Sequence, residues 1–198
     1  MTESTPSIDS RHTALLVMDD QNGIVGMLSN PDVLLARAAH AISVARARGA
    51  HVGYVRVAFQ DADFEAIPPT SRMGARVGAS PEAFRNDSPA TAIHEGLAPQ
   101  DGDIVVRKTR VSAFSTTDLN EQLRERGVDT LILAGISTSG VVLSTVRDAS
   151  DRDFRVYVLA DATADPEPDV HGFLTERIFP RQADVITVAE LESRLAAS

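Results

Sequence analysis

The stretch LILAGISTSGVVLSTVRDA, residues 131–149, decides the fold class, because an apolar strand turns directly into a helix there. Its first four residues form a continuous hydrophobic run, which is typical of a strand covered on both faces of a parallel sheet. Gly135 follows the strand, and from residue 140 the apolar residues have helical spacing. The stretch therefore predicts an α/β protein built on parallel strands.

The same alternation of strand and helix recurs along the chain. We predict strands at residues 13–18, 51–59, 103–108, 130–134, 155–159 and 184–188, and helices at 32–48, 119–126, 140–150, 168–179 and 189–197. Six strands separated by helices imply right-handed crossovers. The prediction is an open, mostly parallel six-stranded sheet with helices on both faces, a Rossmann-like three-layer α/β fold.

The domain organisation follows from the parts without this alternation. Residues 13–198 are predicted to form a single domain, and the polar residues 1–12 a flexible N-terminal tail. Residues 60–102 carry little periodic signal and are too long for a simple connection. We expect them to form a binding loop or lid that contains short helices.

Composition excludes several functions. The 198 residues include 19 Lys+Arg and 28 Asp+Glu, a net charge of 19 − 28 = −9, and no cysteine. An acidic chain is a poor match for nucleic acid, and without cysteine there is no disulfide, zinc–thiolate site or thiolate nucleophile. No segment is apolar for the length that a membrane span needs, and no signal peptide is evident. We expect a cytoplasmic protein that acts on a small molecule, with no nucleic-acid, membrane or cofactor partner.

Polar side chains stand where three of the predicted strands end. Asp19 and Gln21 follow the first strand, Lys108 ends the third on the same face as Ile104 and Val106, and the fourth runs into the turn at residues 135–141. Parallel strands bring their carboxyl ends to one edge, where ligands bind. A simpler interpretation is a turn with a helix cap at Asp19 and a surface lysine at Lys108, and both interpretations stay open.

Three segments carry a family resemblance: ALLVMDDQN (residues 14–22), LAPQDGDIVVRKTRVSAF (97–114) and residues 131–149. They resemble the isochorismatase-like hydrolases, the cysteine hydrolase superfamily, over nearly all of residues 13–195. The resemblance implies that Asp19 and Lys108 are catalytic and that the chain forms a homodimer or larger homo-oligomer. It places the usual nucleophilic cysteine at Val141, whose side chain cannot form an acyl-enzyme. Metal-binding members carry Asp-x-His after the second strand; residues 58–63 read AFQDAD here, so no metal site is expected.

Two branches of the family also lack the thiol, the isochorismatases and the aminodeoxyisochorismate hydrolases, and they cleave a vinyl ether with release of pyruvate. The resemblance therefore implies that Asp19 is a general acid and Lys108 its electrostatic partner, although Lys108 would lower the pKa of Asp19 while burial would raise it. Backbone N–H groups at the start of a helix suit an anion. The candidate substrate-binding residues are Gln21, Arg56, Arg110, Phe114, Ile136, Ser137, Thr138, Ser139 and Gly140.

Two other functions remain open. A serine amidase or esterase is suggested by the hydroxyl groups that crowd the strand-to-helix turn, those of Ser137, Thr138, Ser139 and Ser144. Asp161, Asp165 and His171 follow them in the order Ser, Asp, His, although the G-x-S-x-G nucleophile motif is absent. The second is a binding or assembly protein that kept the fold and lost turnover. Val141 favours this second function, whereas a buried pair of Asp19 and Lys108 opposes it.

Overall fold

The computed structural model describes residues 7–196, and its core is a six-stranded parallel sheet between two layers of helices. The strands are β1 (Ile8–Asp9), β2 (Thr13–Met18), β3 (His51–Val57), β4 (Ile104–Lys108), β5 (Thr130–Ile136), β6 (Arg155–Ala164), β7 (Asp184–Ile186) and β8 (Leu195–Ala196). The α-helices are α1 (Asn22–Val25), α2 (Pro31–Ala47), α3 (Asp61–Glu65), α4 (Arg72–Ala79), α5 (Pro81–Phe84), α6 (Leu119–Glu125), α7 (Leu143–Asp151), α8 (Pro168–Phe173) and α9 (Val188–Arg194).

The large sheet has the order β4-β3-β2-β5-β6-β7, and all its neighbouring strands are parallel. These are the six predicted strands, so the predicted fold class is confirmed. Every residue of the central strand β2 is buried. Its alternate side chains pack against α6 and α7 on one face and against α2 and α9 on the other, which explains why its sequence is apolar without alternation.

Several element ends differ from the prediction. β5 and β6 run further than predicted, to Ile136 and Ala164, and therefore reach deeper into the carboxyl edge. α2 begins at Pro31, because proline suits the first position of a helix, and not behind a cap at Asp32. The helix after β5 opens with a π-helical turn, Thr138–Val142, and α8 continues as a second one, Leu174–Ile178. Side-chain spacing alone does not distinguish these turns from α-helix.

The N-terminal segment corrects the predicted tail. Ile8–Asp9 pairs in parallel with Leu195–Ala196, and a 3₁₀ turn, Ser10–His12, leads into β2. Ile8 and Leu195 are both buried in the same apolar cluster, so regular structure extends to Ile8 and does not begin at Thr13. The first half of the predicted tail, residues 1–6, and the end of the predicted last helix, residue 197, lie outside the described residues.

The aperiodic segment 60–102 contains short helices, as predicted. α3, α4 and α5 are followed by two 3₁₀ turns, Pro89–Thr91 and Glu95–Leu97. A small apolar cluster around Val57, Phe59 and Val77 attaches α4 to the carboxyl end of β3. The segment therefore covers that edge of the sheet. Within residues 7–196, no helix has the length and apolar character needed to cross a membrane.

Candidate active site

The fold brings Asp19 and Lys108 into contact beyond the carboxyl ends of β2 and β4. Lys108 Nζ donates a 2.8 Å hydrogen bond to Asp19 Oδ2 and a 3.1 Å hydrogen bond to the carbonyl oxygen of Arg110. The two side chains are only 2% (Lys108) and 8% (Asp19) exposed. The surface-lysine interpretation is therefore wrong. An ammonium group has three N–H donors, so one remains for another partner.

The backbone turns sharply at Asp19 and directs its carboxyl group inward. Asp19 has a positive φ of 61°, and its N–H donates to the carbonyl oxygen of Val55. Oδ1 of Asp19 is buried and has no hydrogen-bond partner among residues 7–196. Burial raises the pKa of Asp19, and the charge of Lys108 only partly opposes it. The two opposing effects in the sequence prediction thus resolve toward a carboxyl group that holds its proton more strongly than usual.

A second buried carboxyl group, Asp20, was not among the residues that the sequence prediction singled out. Asp20 is 3% exposed, and neither of its carboxyl oxygens has a hydrogen-bond partner in the described part of the chain. Burial, together with the negative charge of Asp19, raises the pKa of Asp20 to about 8. Two consecutive aspartates after a fully apolar strand were the signal available. Asp20 is therefore mainly protonated at neutral pH.

Gln21 is a structural residue as well as part of the site wall. Its side-chain nitrogen donates to the carbonyl oxygens of Val57 (2.9 Å) and Thr91 (2.8 Å), and its side-chain oxygen accepts from the N–H of Val57 at 2.8 Å. These bonds connect the turn after β2 to β3 and to the segment that follows α5. Gln21 thus positions the wall and has no free N–H donor for a substrate.

The end of β5 passes very close to β2. Gly135 has a φ of 143°, and a Cβ atom at this position would lie 2.1 Å from the carbonyl oxygen of Met18. Only glycine fits both the conformation and the contact. The peptide bond between the two residues that follow, Ile136 and Ser137, is cis. Beyond it Val141 is 3% exposed and lines the same cavity as Asp19 and Lys108.

The backbone N–H groups of this turn are largely used within the protein. The N–H of Ser139 donates a 2.8 Å hydrogen bond to Asp165 Oδ2, and the N–H groups of Gly140 and Val142 donate to the carbonyl oxygen of Ser137. The predicted anion site at the start of the helix therefore already holds a carboxylate, that of Asp165. Ile136, Ser137, Ser139 and Gly140 do line the cavity.

Four of the predicted substrate-binding side chains do not line the cavity. The Arg56 guanidinium donates to the carbonyl oxygens of Asn86 and Thr91, and that of Arg110 to the neighbouring carbonyl of Thr109. Phe114 stacks on Phe154 in the core, with 5.9 Å between ring centroids. Thr138, the fourth, is completely buried. The position of a residue in a strand or a turn does not show the direction in which its side chain points.

The geometry does not support a serine nucleophile. Nδ1 of His171 lies 2.8 Å from Oγ1 of the buried Thr138. Neither Ser137 nor Ser139 has a side-chain hydrogen bond to a histidine within residues 7–196, so no serine–base pair is present there.

The cavity itself has a volume of about 540 Å³ and extends over the carboxyl edge of the sheet. Its floor contains Asp19, Lys108 and Val141. Its walls add charged residues. The sequence prediction missed Arg72 and Arg76 of α4 and Glu167 after β6, and it named Asp165 only as a possible partner of a serine nucleophile. The signal for the arginines was their spacing of four residues, which places both on one face of a helix. Among residues 7–196, no group of His, Asp and Glu side chains is arranged to hold a metal ion.

Comparison with known proteins agrees with this fold. The isochorismatase domain matches residues 13–190. The chain is 34% identical to ureidoacrylate amidohydrolase RutB of Methylobacterium radiotolerans over 96% of this chain and 81% of that protein. It is 32% identical to maleamate amidohydrolase of Pseudomonas putida, over 89% and 84%. The solved structure of an isochorismatase family protein from Burkholderia thailandensis is 31% identical, with a TM-score of 0.80 and coverage of 97% and 99%.

Proposed function

This chain belongs to the isochorismatase family of hydrolases, and from that premise we propose that it hydrolyses a small carboxylate-bearing substrate by acid–base catalysis, without a covalent intermediate. Hydrolysis of a vinyl ether with release of pyruvate is the reaction that fits the site best. The observation that carries the proposal is the floor of the cavity. Asp19, held by Lys108, lines that floor and has a buried Oδ1 without a hydrogen-bond partner among residues 7–196, and Val141, which cannot act as a nucleophile, lines the same cavity.

The reaction requires a proton on carbon before water adds. Protonated Asp19 would give its proton to the methylene carbon of the enolpyruvyl group, and the ether carbon would become an oxocarbenium ion. Water adds to that carbon and loses a proton, and the hemiketal then collapses to pyruvate and an alcohol. A carboxyl group with a raised pKa suits this role, because it stays protonated closer to neutral pH. No step requires a side chain at position 141.

Several positive charges favour an anionic substrate. Arg72 and Arg76 line the cavity, and neither guanidinium has an ion pair or hydrogen bond within the described range. One N–H of Lys108 also remains available. Ureidoacrylate and maleamate, the substrates named for two relatives, are both carboxylates. A carboxylate facing the arginines would leave the rest of the substrate over Asp19.

Amide hydrolysis is a second candidate, because the named relatives are amidohydrolases. Without a thiol, the enzyme would have to activate water for direct attack on the amide carbon. That task needs Asp19 as an ionised base, whereas burial raises its pKa and favours the protonated form. The acid role is therefore the better match to the environment of Asp19.

The test is incubation of the protein with isochorismate, aminodeoxyisochorismate, maleamate and ureidoacrylate, while pyruvate and ammonia are measured. We expect pyruvate from one of the first two, and a fall of about 100-fold or more in Asp19→Asn, since general acids contribute at least that much. Lys108→Met should have a comparable effect. The double variant Asp19→Asn/Lys108→Met removes both charges, so that neither is left buried without its partner. Comparison with the single variants shows whether either loss of activity reflects misfolding.

Glu121→Gln, on α6 and outside the cavity, is the matched control and should keep full activity. Pyruvate release that survives Asp19→Asn would contradict the catalytic role. Ammonia release in place of pyruvate would favour amide hydrolysis. Absence of product from all four compounds would favour a binding or assembly protein.

A further inference from the structure

The charged side chains of the cavity lie on two separate walls. α4 supplies Arg72 and Arg76, and it is attached to the end of β3 through the apolar cluster that contains Val57 and Val77. Asp165 and Glu167 follow the end of β6 on the other side. Because β2 and β5 lie between β3 and β6, the supporting strands are three spacings apart, roughly 14 Å. One wall is cationic and the other anionic.

These charges are not neutralised by each other. No ion pair joins Arg72 or Arg76 to Asp165 or Glu167 in the described structure. Asp165 is fixed at the cavity wall by two backbone N–H donors, those of Ser139 and Glu167. Its carboxylate has no cationic partner within residues 7–196. The walls therefore present opposite charges to whatever lies between them.

The buried Asp19 gives a separate indication of a ligand. Its Oδ1 is buried, has no hydrogen-bond partner in the described chain, and belongs to a residue that lines this same cavity. Such an atom is costly to leave unpaired. The cavity floor between the two walls is formed by Asp19 and Lys108, whose side chains contact each other at 2.8 Å. The position for a ligand is thus defined at its centre and at both ends.

We propose that the substrate of this site is dipolar, with a carboxylate that faces Arg72 and Arg76 and a protonated amino group that faces Asp165 and Glu167. This inference rests on the proposed use of the cavity as the substrate site, and it narrows the substrate class from carboxylates to amino-carboxylates. The reacting centre would lie between the two charged groups, over Asp19. A hydroxyl group in place of the amino group would lose the attraction to the anionic wall.

Binding of two unreactive compounds tests this inference independently of turnover. The dipolar probe is trans-4-(aminomethyl)cyclohexanecarboxylate, and its match is trans-4-(hydroxymethyl)cyclohexanecarboxylate, which differs only in the amino group. Titration followed by NMR at low salt gives both dissociation constants. We expect the dipolar probe to bind about two- to fivefold more tightly, as is typical for partly exposed ion pairs. The preference should shrink as salt is added.

Substitutions in the two walls test whether the wall charges cause the preference for the dipolar probe. Glu167→Gln should reduce it, and Asp165→Asn/Glu167→Gln should abolish it, while Glu121→Gln removes the same charge outside the cavity and should leave it unchanged. Arg76→Gln should weaken both probes equally, because both carry the carboxylate. Equal binding of the two probes, failure of both to bind, or a preference that survives in the double variant would overturn the inference.

The outcome is separable from that of the proposed reaction. A preference for the dipolar probe in a protein that releases no pyruvate would support the dipolar site and contradict vinyl-ether hydrolysis. Release of pyruvate without any preference between the probes would support the reaction and overturn the dipolar site.

Discussion

Asp19 and Asp20 are adjacent in the sequence and both buried, but only Asp19 has a cationic partner, Lys108 at 2.8 Å. The free-energy cost of burying the ionised carboxylate therefore differs between the two residues. Ionised Asp19 is partly compensated by the ammonium group, whereas ionised Asp20 would have neither a counter-charge nor a hydrogen bond among residues 7–196. The difference predicts that Asp20 affects stability and Asp19 affects chemistry.

Replacement of Asp20 by asparagine should make stability less dependent on pH. In the unfolded chain the Asp20 carboxyl group loses its proton near the ordinary aspartate pKa of 3.8, whereas burial raises the folded-state pKa to about 8. Because the folded state resists ionisation, the free-energy cost of ionising Asp20 should be absent below pH 4 and should increase up to about pH 8. The advantage of Asp20→Asn should therefore grow by about 1.4 kcal/mol per pH unit across that range and then level off. Urea denaturation at several pH values measures it, and a constant difference would contradict the burial of an ionisable Asp20.

Alanine at Gly135 should destabilise the fold strongly. The new Cβ would lie 2.1 Å from the Met18 carbonyl oxygen, and φ is 143° there. We expect a loss of about 3 kcal/mol or more in the free energy of unfolding. Gly172 in α8 is the matched control, because nothing lies within 4 Å of its Cβ position. Gly172→Ala should be neutral or stabilising by up to about 1 kcal/mol. Similar effects of the two substitutions in thermal unfolding would contradict the close approach of β5 to β2.

Cysteine at Val141 should be unusually reactive. The native chain has no cysteine, so Val141→Cys introduces a single thiol, in the same cavity as the Lys108 ammonium group. A nearby positive charge lowers the pKa of a thiol and increases its thiolate fraction. Iodoacetamide at pH 6.5 should therefore alkylate it about tenfold faster than the exposed thiol of Asp87→Cys. Addition of Lys108→Met should remove the difference. Equal rates in the first comparison would show that position 141 is not in the field of Lys108.

Two arginines should respond in opposite ways to the same substitution. Arg56 holds the segment after α5 through the carbonyl oxygens of Asn86 and Thr91, so Arg56→Gln should cost about 1–3 kcal/mol of stability. The affinity for trans-4-(hydroxymethyl)cyclohexanecarboxylate should change by less than about twofold, since Arg56 does not line the cavity. Arg76→Gln should weaken that affinity and leave the unfolding temperature nearly unchanged. The reverse pattern would restore Arg56 as the anion contact.

The sheet could be predicted from the sequence because each strand carries its own signal. The residues of β2 are apolar without alternation, and this pattern has few explanations other than a strand buried on both faces. The positions of Asp19 and Lys108 then followed from the ends of strands, since parallel strands share one carboxyl edge, whereas Val141 was singled out by the family resemblance alone. Strand ends are local features, and local features are what a sequence shows most directly.

The cavity walls could not be predicted in the same way. The roles of Arg56 and Arg110 depend on which carbonyl oxygens their side chains reach, and those belong to irregular segments. Arg72 and Arg76 lie in a short helix whose attachment depends on distant apolar residues such as Val57. The carboxylate of Asp165 accepts a hydrogen bond from the N–H of Ser139, a donor that the strand and helix pattern alone would leave free. Apart from the contact of Arg110 with its neighbour Thr109, each decisive contact joins residues that are far apart in the chain.

The pairing of Ile8–Asp9 with Leu195–Ala196 has a practical consequence for handling the protein. Ser10–His12 connects β1 to the start of β2, so this two-stranded ribbon lies at the amino edge of the sheet, opposite the cavity. Affinity tags or fusion partners attached to either β1 or β8 would thus emerge from the same place and leave the mouth of the cavity open. A short linker between these two strands would join them for circular permutation, with the new ends free to be placed in any exposed loop.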